Sequence, residues 1–386
     1  MRQKGALILL ILLLLFLPMM SGMTQNGENL LLQKRLDRPF QGVVEIWLCE
    51  TFAPGRASLT GWVNQAVKRY EKANPGVYIR VRTVQESVAR SRLDAKDALP
   101  DAILCGAGVV TGEDALLACQ QGAAAVFTRA VSQNGVCYAY PVAAGAYTIL
   151  YQQQALDRAG IVSPTQADLT RLGKSADGRG TLPVILCGAD RLTCPAAAFE
   201  ALMPQAQQEA LHPDYGRRTL KEAWADFVLD QASVGYVCTQ KEVFRIRQLV
   251  AGGSAFEWGY DRQGCAYTDQ LLALYLPDTG ADAARTGAVQ AFGALLQSEQ
   301  MQQLLADYGA FSVTGLTLYQ PDTCMGAMEQ GLARADLAVP NLLSWREAAL
   351  LQYDQMSASS DPAQARQIAR AVLKQAQPPS DGTAGR

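Results

Sequence analysis

The segment from Val43 to Val84 constrains the fold more than any other part of the sequence. It opens with an apolar run rich in β-branched residues at 43–48, and a loop follows. Apolar side chains then recur at helical spacing from Trp62 to Tyr70, with charged residues on the opposite side. Asn74-Pro75-Gly76 ends this helix, and residues 77–84 form a second candidate strand. This order predicts two parallel strands joined by a right-handed helical crossover.

The rest of the chain alternates candidate strands with candidate helices, so the predicted class is α/β. With 386 residues, the chain is long enough for two domains or lobes. A strand-like stretch at 138–151 is broken by Pro141 and Gly145, which fits a place where the chain passes from one lobe to another. Helices are also predicted at 113–121 and 340–352.

The N-terminus has the order of an export signal. Arg2 and Lys4 precede an unbroken apolar run from Ala6 to Leu17, which is shorter than the roughly 20 residues of a membrane-spanning helix. Residues 1–23 are interpreted as a signal peptide, or alternatively as an uncleaved anchor, and residues 24–39 as a polar tether. The protein is therefore expected on the extracellular face of the cytoplasmic membrane, either released or tethered by this segment.

The composition argues against several classes of function. A net charge of −2 gives no indication of nucleic-acid binding. The nine cysteines show no CxxC motif or regular spacing, so no metal site and no cofactor is predicted. Cys49, Cys105 and Cys187 lie in or beside apolar runs and are expected to be small buried residues. A bridge between Cys187 and Cys194 is the alternative for that pair.

Candidate enzyme motifs fail on spacing or context. His212, the one histidine of the sequence, is predicted at a helix end before Pro213, whereas serine and cysteine nucleophiles usually need a histidine base in a cleft. The Leu172–Ser175 segment resembles the end of a P-loop, but Asp168 stands where the first glycine is required. Gly106-Ala107-Gly108 lacks a correctly placed third glycine for a dinucleotide site. No catalytic residue is predicted, and binding is the function that remains.

Four segments, in this order, resemble the extracellular solute-binding proteins of ABC importers, in the maltose-binding-protein-like group that mostly carries sugars. They are VVEIWLCETF with WVNQAVKRYEKANPGVYIRV within 43–81, LPDAILCG at 99–106, YAYPVAAGAYTILYQQQALDRAGI at 138–161 and AVQAFGALLQSEQMQQLLADYGAFSV at 288–313. The sequence departs from the family in three ways. The usual lipid-attachment cysteine is missing, Gln152 stands where the family usually has asparagine, and the region 165–215 is short and poor in the family's usual aromatic residues.

The resemblance implies a two-lobed, periplasmic-binding-protein-like α/β fold with discontinuous lobes and a hinge. Lobe 1 is expected to combine 40–142 with 266–316, and lobe 2 to combine 143–265 with 317–375, which leaves 376–386 as a disordered tail. The resemblance also implies a monomer without catalytic activity. Such a protein captures a small solute, here expected to be a carbohydrate, between its lobes and delivers it to an ABC permease.

Two other functions stay open at this point. One is an exported sensor or interaction protein that keeps this fold without binding sugar. The other is an exported α/β hydrolase, which the single histidine disfavours.

Ligands of open parallel sheets bind beyond the carboxyl ends of the strands, and sugars need aromatic faces together with polar groups. The predicted ligand-binding residues come from strand ends, from the chain break, from the expected return crossing and from one late tryptophan. They are Glu50, Thr51, Phe52, Gly106, Tyr140, Gly145, Trp258, Tyr260, Tyr267 and Trp345. For Trp345 a packing role is an equal alternative, whereas Trp62 is predicted to be a core residue.

Overall fold

The computed structural model describes residues 40–120, 122–158, 160, 184–189, 194–202, 212–230, 233–344, 355–356, 358–359 and 361–377. The predicted signal and tether, the P-loop-like segment, Trp345 and the tail beyond residue 377 lie outside these residues.

Strands and helices alternate along the described chain. The strands are β1 Gly42–Leu48, β2 Val77–Thr83, β3 Ala102–Cys105, β4 Ser132–Gln133, β5 Val136–Cys137, β6 Ala139–Ala144, β7 Tyr147–Gln152, β8 Val184–Ala189, β9 His212–Thr219, β10 Gly235–Thr239, β11 Trp258–Tyr260 and β12 Leu271–Tyr275. The helices are α1 Leu59–Ala73, α2 Glu86–Ala95, α3 Ala125–Ala130, α4 Gln153–Arg158, α5 Pro195–Leu202, α6 Leu220–Ala225, α7 Gln240–Ala251, α8 Ala283–Leu296, α9 Glu299–Gln303, α10 Leu305–Tyr308, α11 Cys324–Leu332 and α12 Pro362–Ala376. A π-helical turn, Asp226–Asp230, extends α6.

The first sheet has the strand order β2-β1-β3-β12-β6. β1 runs parallel to β2, with Gly42 opposite Val77, and parallel to β3, with Ile46 opposite Ala102. β12 is antiparallel to both β3 and β6. The predicted strand–helix–strand unit with parallel strands is therefore confirmed, and a strand from late in the chain completes the sheet.

Helix α1 illustrates why the sequence folds as it does in this sheet. The Ser58 hydroxyl accepts a hydrogen bond from the Thr60 N–H (3.0 Å), which satisfies one of the free donors at the start of the helix. The apolar side of α1 is buried, as its helical spacing predicts. Trp62 is fully buried, and its Nε1 donates to the Met301 carbonyl (2.9 Å). Trp62 is therefore a core residue that fastens α1 to α9.

The second sheet has the strand order β11-β7-β10-β8-β9. β10 is parallel to β8 and antiparallel to β7, so that Thr239 at the end of β10 faces Tyr147 at the start of β7. Helix α7 begins directly after β10, because Thr239 and Glu242 form a reciprocal capping box. The carboxyl end of β10 thus leads into α7 without a loop.

The helix predicted at 113–121 is wrong over the described residues 113–120, which are not helical. Leu117 N–H donates to the Leu276 carbonyl (2.8 Å), and Cys119 N–H donates to the Cys137 carbonyl (2.8 Å). These bonds join the segment to residues that are distant in sequence. Such tertiary pairing overrides local helix preference.

Two other predicted helices also need correction. His212 opens strand β9, which pairs in parallel with β8, and does not end a helix. Residues 340–344 are not helical, since Leu342 N–H donates to the Ala130 carbonyl (2.7 Å). The remainder of the helix predicted at 340–352 lies outside the described residues.

The cysteines for which burial was predicted, Cys49, Cys105 and Cys187, are all buried. Burial, together with the charge of Glu86, raises the pKa of the Cys49 thiol to about 12. A thiol with so high a pKa is a poor nucleophile at neutral pH, which fits a packing role. Cys194 is buried as well, and its bridge to Cys187 stays untested. Separately, the described residues include no helix with the length and apolar character needed to cross a bilayer.

Candidate functional site

The carboxyl ends of β1 and β3 lie side by side at one edge of the first sheet. Cys49 N–H donates to the Leu104 carbonyl (2.8 Å). The Thr51 side chain lies so close to Gly106 that a Cβ at Gly106 would clash with the Thr51 hydroxyl and would lie 2.6 Å from the Leu271 carbonyl. Glycine is therefore required for this close approach. Thr51 and Gly106, two predicted ligand contacts, are brought together at the expected strand ends.

Glu50 has a structural role at the same edge. Its Oε1 accepts hydrogen bonds from the Ser58 hydroxyl, from the Thr60 N–H (2.9 Å) and from the Thr60 hydroxyl (3.0 Å). A carboxylate at a helix N-terminus also interacts favourably with the helix dipole. One oxygen of Glu50 therefore caps α1, a role that the sequence analysis missed.

Three chain segments that pass between the two sheets meet at Gly145. Gly145 N–H donates to the Gln270 carbonyl (2.7 Å), and the Thr268 hydroxyl donates to the Gly145 carbonyl (2.8 Å). Ala144 exchanges two backbone hydrogen bonds with Phe311 (3.0 and 2.9 Å). The sequence break at Gly145 therefore coincides with the place where the chain leaves the first sheet for the second.

The buried carboxylate of Asp269 fixes the crossing segment at 266–270. Asp269 accepts hydrogen bonds from the Tyr147 hydroxyl (2.7 Å), the Tyr267 hydroxyl (3.1 Å) and the Cys194 N–H (2.7 Å). Burial raises the pKa of Asp269, while these three donors act in the opposite direction. The Asp269 side chain thus ties the crossing to β7 and to the start of α5.

Gln240, the first residue of α7, connects the crossings to the loop after β1. Its Oε1 accepts from the Ala146 N–H (2.9 Å), while its Nε2 donates to the Ala53 carbonyl (2.8 Å) and to the Gln270 Oε1 (3.1 Å). The side chain is fully buried. The Gln240 amide, at the start of α7, therefore contacts both the crossing segments and the loop that follows β1.

Phe244, one helical turn further along α7, packs against the same loop. Its ring lies over Gly55, where an added Cβ would clash with it, and over Gly309, where an added Cβ would lie 2.7 Å from the ring. The Arg56 guanidinium lies 4.6 Å from the ring centroid, and the Arg247 guanidinium lies 5.9 Å from it. The edges of the two sheets are thus in direct contact through an aromatic side chain flanked by two cations.

Three predicted ligand contacts are placed in the protein core. Phe52, Tyr140 and Tyr267 are all buried. Tyr140 packs on Gly293, and Tyr267 stacks on Tyr147 with ring centroids 6.0 Å apart. These rings therefore already have packing partners within the core.

Trp258 and Tyr260 lie on β11, the edge strand of the second sheet. They are half-buried, with ring centroids 6.0 Å apart. Trp258 is opposite Gln152 at the end of β7 away from the crossings, and Tyr260 donates its hydroxyl proton to the Asp322 carbonyl (2.6 Å). The pair stands apart from Thr51, Gly106 and Gly145, so the structure does not gather the predicted residues into one cluster.

Asp261 follows this aromatic pair and is almost fully buried. Burial raises its pKa to about 6, against the effect of the Gln263 and Gly264 N–H groups and of the Arg334 charge. Its Oδ2 has no hydrogen-bond partner among the described residues. Asp261 is therefore a group that loses its charge in mildly acidic solution.

Sequence reasoning missed Arg56, Gln240 and Phe244. A usable signal was present, since Thr239-Gln240-Lys241-Glu242 has the capping-box pattern directly after a candidate strand. Residues that follow the carboxyl end of a parallel strand face the ligand edge of a sheet. The rule that selected Thr51 and Gly106 would therefore also have selected Gln240.

Comparison with known proteins places the fold. No family model matches the sequence, and no curated protein matches it. Among solved structures, the GacH receptor of Streptomyces glaucescens GLA.O, which was also solved with acarbose, is 14% identical with a TM-score of 0.56, and the match covers 87% of this chain and 99% of that chain. The sugar-binding protein MalE from Xanthomonas citri is 16% identical with a TM-score of 0.57, and the match covers 86% and 97%. A cyclic alpha-maltosyl-1,6-maltose binding protein from Arthrobacter globiformis is 15% identical with a TM-score of 0.54, and the match covers 87% and 100%.

These likenesses extend over nearly the whole length of the matched proteins, and at such identities they establish the fold. The two-lobed solute-binding-protein fold that the four sequence segments indicated is confirmed.

Proposed function

We propose that this chain is the extracytoplasmic substrate-binding component of an ABC transporter, which captures a small solute between two lobes and delivers it to a membrane permease. The observation that carries the proposal is the meeting of two strand-end edges. Thr51 and Gly106 follow the carboxyl ends of β1 and β3 in the first sheet, Gln240 follows β10 of the second, and the crossings at Gly145 join the two edges. A hinge beside two facing edges suits closure over a solute.

The proposed lobes keep the boundaries predicted from sequence. Lobe 1 combines 40–142 with 266–316, and lobe 2 combines 143–265 with 317–375. The strand order supports this division, since Leu271–Tyr275 pairs with β3 and β6 of the first sheet.

A carbohydrate is the proposed solute. GacH was solved with acarbose, and the Arthrobacter protein is named for a cyclic maltosyl sugar. Locally, Thr51 and Arg56 offer a hydroxyl and a guanidinium group for sugar hydroxyls. Trp258 and Tyr260 are a second proposed contact at the edge of lobe 2.

The competing function is an exported sensor or interaction protein that keeps the fold without binding sugar. A specific observation favours it: Phe244 and Gln240 already contact the loop after β1, so protein atoms occupy part of the gap between the strand ends. The two functions differ in whether any sugar binds the purified protein.

A thermal-shift screen of the purified protein with monosaccharides, oligosaccharides and oxyanions separates them. A ligand that binds the folded state stabilises it by about 2.7 kcal/mol at a hundredfold excess over its Kd. We expect a sugar to raise the Tm in a concentration-dependent way, and calorimetry then gives its stoichiometry. If millimolar concentrations of every sugar leave the Tm unchanged, the competing function is preferred.

Export is part of the proposal, because a solute receptor for an importer must face the outside. Fractionation of the producing cells is expected to recover the protein from the extracytoplasmic or membrane fraction. Recovery of full-length protein in the cytosol would contradict the signal assigned to residues 1–23.

A further inference from the structure

Phe244 of lobe 2 is buried against the backbone of lobe 1. Phe244 belongs to α7, which continues β10 of the second sheet, and only 6% of it is exposed. The groups beneath its ring come from the other lobe: Gly55 follows β1, and Gly309 follows α10. An aromatic side chain of one lobe is therefore buried by the backbone of the other.

The lobe 1 side of this contact is shaped for a flat ring. Gly55 N–H donates to the Gly309 carbonyl (2.9 Å), and Arg56 N–H donates to the Tyr308 carbonyl (2.8 Å), which holds the two loops side by side. A Cβ at Gly55 would collide with the Phe244 ring, and one at Gly309 would crowd both the ring and Gly55. Two adjacent glycines thus leave a shallow seat that a side chain on either would fill.

The lobe 2 side is equally fixed. The capping box of Thr239 and Glu242 sets the first turn of α7, and Glu242 is itself buried. The Gln240 amide contacts Ala53 in the same loop of lobe 1. The position of the Phe244 ring relative to Gly55 and Gly309 is therefore fixed by the start of α7.

Cations complete the enclosure of the ring. The Arg56 guanidinium of lobe 1 lies 4.6 Å from the ring centroid, within the range of a favourable cation–π interaction. Opening of the lobes would separate the ring from this guanidinium and expose its apolar surface to water. Both changes oppose opening.

We propose that Phe244 is a latch that holds the two lobes closed when no solute is bound. The part of the inference that concerns solute capture rests on the proposed function above: a solute enters after the ring leaves its seat, so the latch lowers the fraction of molecules ready to bind. Apparent affinity falls in proportion to that fraction. Burial of a phenyl ring is sufficient to change the ratio of closed to open molecules by about tenfold to a hundredfold.

The first test measures the distance between the lobes without any solute. Because the chain has nine cysteines, labels are introduced as non-canonical amino acids at exposed Asn64 on α1 and exposed Gln248 on α7. We expect one short, narrow distance distribution for the parent and a longer, broader one for Phe244→Ala. Identical distributions for the two proteins would overturn the latch.

A variant on the opposite lobe guards against a local effect on α7. Gly55→Ala places a methyl group against the ring from the lobe 1 side, and Gly55 does not have a positive φ that would strain an alanine. We expect Gly55→Ala to open the lobes as Phe244→Ala does. In the double variant Gly55→Ala has nothing to displace, so its distribution is expected to equal that of Phe244→Ala alone. If the double variant instead shows a larger distance than Phe244→Ala, by the sum of the two single effects, the latch is overturned.

Leu249→Ala is the matched control, since Leu249 is on the same helix and is 37% exposed. It is expected to keep the parent distribution. Thermal melts confirm that each variant is folded before distances are compared.

The two proposals can fail separately. If Phe244→Ala opens the lobes while neither protein binds any sugar of the panel, the latch stands and the proposed function fails. If a sugar binds the parent, we expect Phe244→Ala to associate with it about tenfold faster. An unchanged association rate together with an unchanged distance overturns the latch and leaves the proposed function in place.

Discussion

The carboxyl ends of β1 and β10 face each other, yet they are built in opposite ways. After β1 the chain makes a ten-residue loop, 49–58, before α1 begins, and Glu50 and Ser58 in that loop cap the helix. After β10, helix α7 begins at the next residue, and the cap lies within a buried capping box. The first edge therefore presents backbone and glycines, whereas the second presents the side chains of Gln240 and Phe244.

This difference assigns distinct tasks to the two edges. The loop after β1, with Gly309 beside its Gly55, offers backbone groups and two glycines against which a side chain can pack. Helix α7, which starts at the strand end, holds its side chains at fixed positions. Under the proposed function, lobe closure brings the side chains of the α7 edge onto the backbone of the loop after β1. The predictions below test whether stability and binding divide between the lobes in this way.

The largest expected effect lies in the core of lobe 1. Trp62→Ala removes a fully buried indole and its hydrogen bond to the Met301 carbonyl. We expect the free energy of unfolding to fall by about 3–5 kcal/mol, measured by urea denaturation. Tyr78→Ala is the control on the same sheet, because Tyr78 is 60% exposed, and it is expected to leave stability nearly unchanged. Equal losses for the two variants would contradict the packing described for α1.

In lobe 2 the largest change in the free energy of unfolding is expected from the buried carboxylate of Asp261. The folded-state pKa of Asp261 is raised from 3.8 to about 6, so the folded protein binds this proton more tightly than the unfolded chain does. The stabilising contribution is complete below pH 4 and is lost as the pH rises through 6. The loss amounts to about 3 kcal/mol at neutral pH.

Asp261→Asn should therefore raise stability at pH 7.5 and give no gain near pH 4, because asparagine keeps an oxygen for the backbone N–H groups. Denaturation across this pH range checks it. Asp336→Asn is the control of opposite sign, since a hydrogen bond from Arg334 lowers the pKa of Asp336. A pH-independent gain for Asp261→Asn would show that its charge is not the cause.

Binding is expected to depend on the edge of lobe 2 with less effect on folding. Trp258 is half-buried at an edge strand, and loss of a ring from a sugar contact costs about 1–3 kcal/mol, or about tenfold to a hundredfold in affinity. Calorimetry with the sugar found by the thermal-shift screen measures the change for Trp258→Ala. Parent-like affinity would remove Trp258 from the proposed site and leave the strand ends as its location.

The smallest expected change in the free energy of unfolding comes from loss of the N-terminal caps of α1 and α7. Loss of a capping side chain typically costs about 1 kcal/mol. Thr239 is buried, and its hydroxyl and N–H both bond to Glu242 (2.6 and 3.1 Å), whereas the cap of α1 shares its donors between Ser58 and exposed Glu50. We therefore expect Thr239→Ala to destabilise the protein more than Ser58→Ala, by urea denaturation. The reverse order would contradict the contrast drawn between the two strand ends.

Prediction from sequence succeeded where local patterns decide the structure. The spacing around Trp62, the Asn74-Pro75-Gly76 stop and the break at Gly145 each depend on residues close together in the chain, and the structure has the predicted elements there. The prediction failed at 113–120, where bonds to Leu276 and Cys137 hold the segment out of a helix. Local preference cannot reveal a partner that lies about 20 to 160 residues away.

The candidate site was only partly predictable for the same reason. Thr51 and Gly106 followed from the rule for strand ends, but Tyr267 proved to be a partner of buried Asp269. Aromatic residues in a sequence serve cores and sites alike, and only tertiary contacts tell the two apart. Phe244 was missed because its seat, Gly55 and Gly309, comes from two distant parts of the chain.

Hydrogen–deuterium exchange with and without the solute found by the thermal-shift screen tests the central claim, that a solute is held between the two strand-end edges, most directly. The account predicts slower exchange in both the 49–56 loop and the first turns of α7, together with the crossing segments at 144–147 and 268–270. Protection confined to residues 257–261, or to the residues of one lobe, would contradict it.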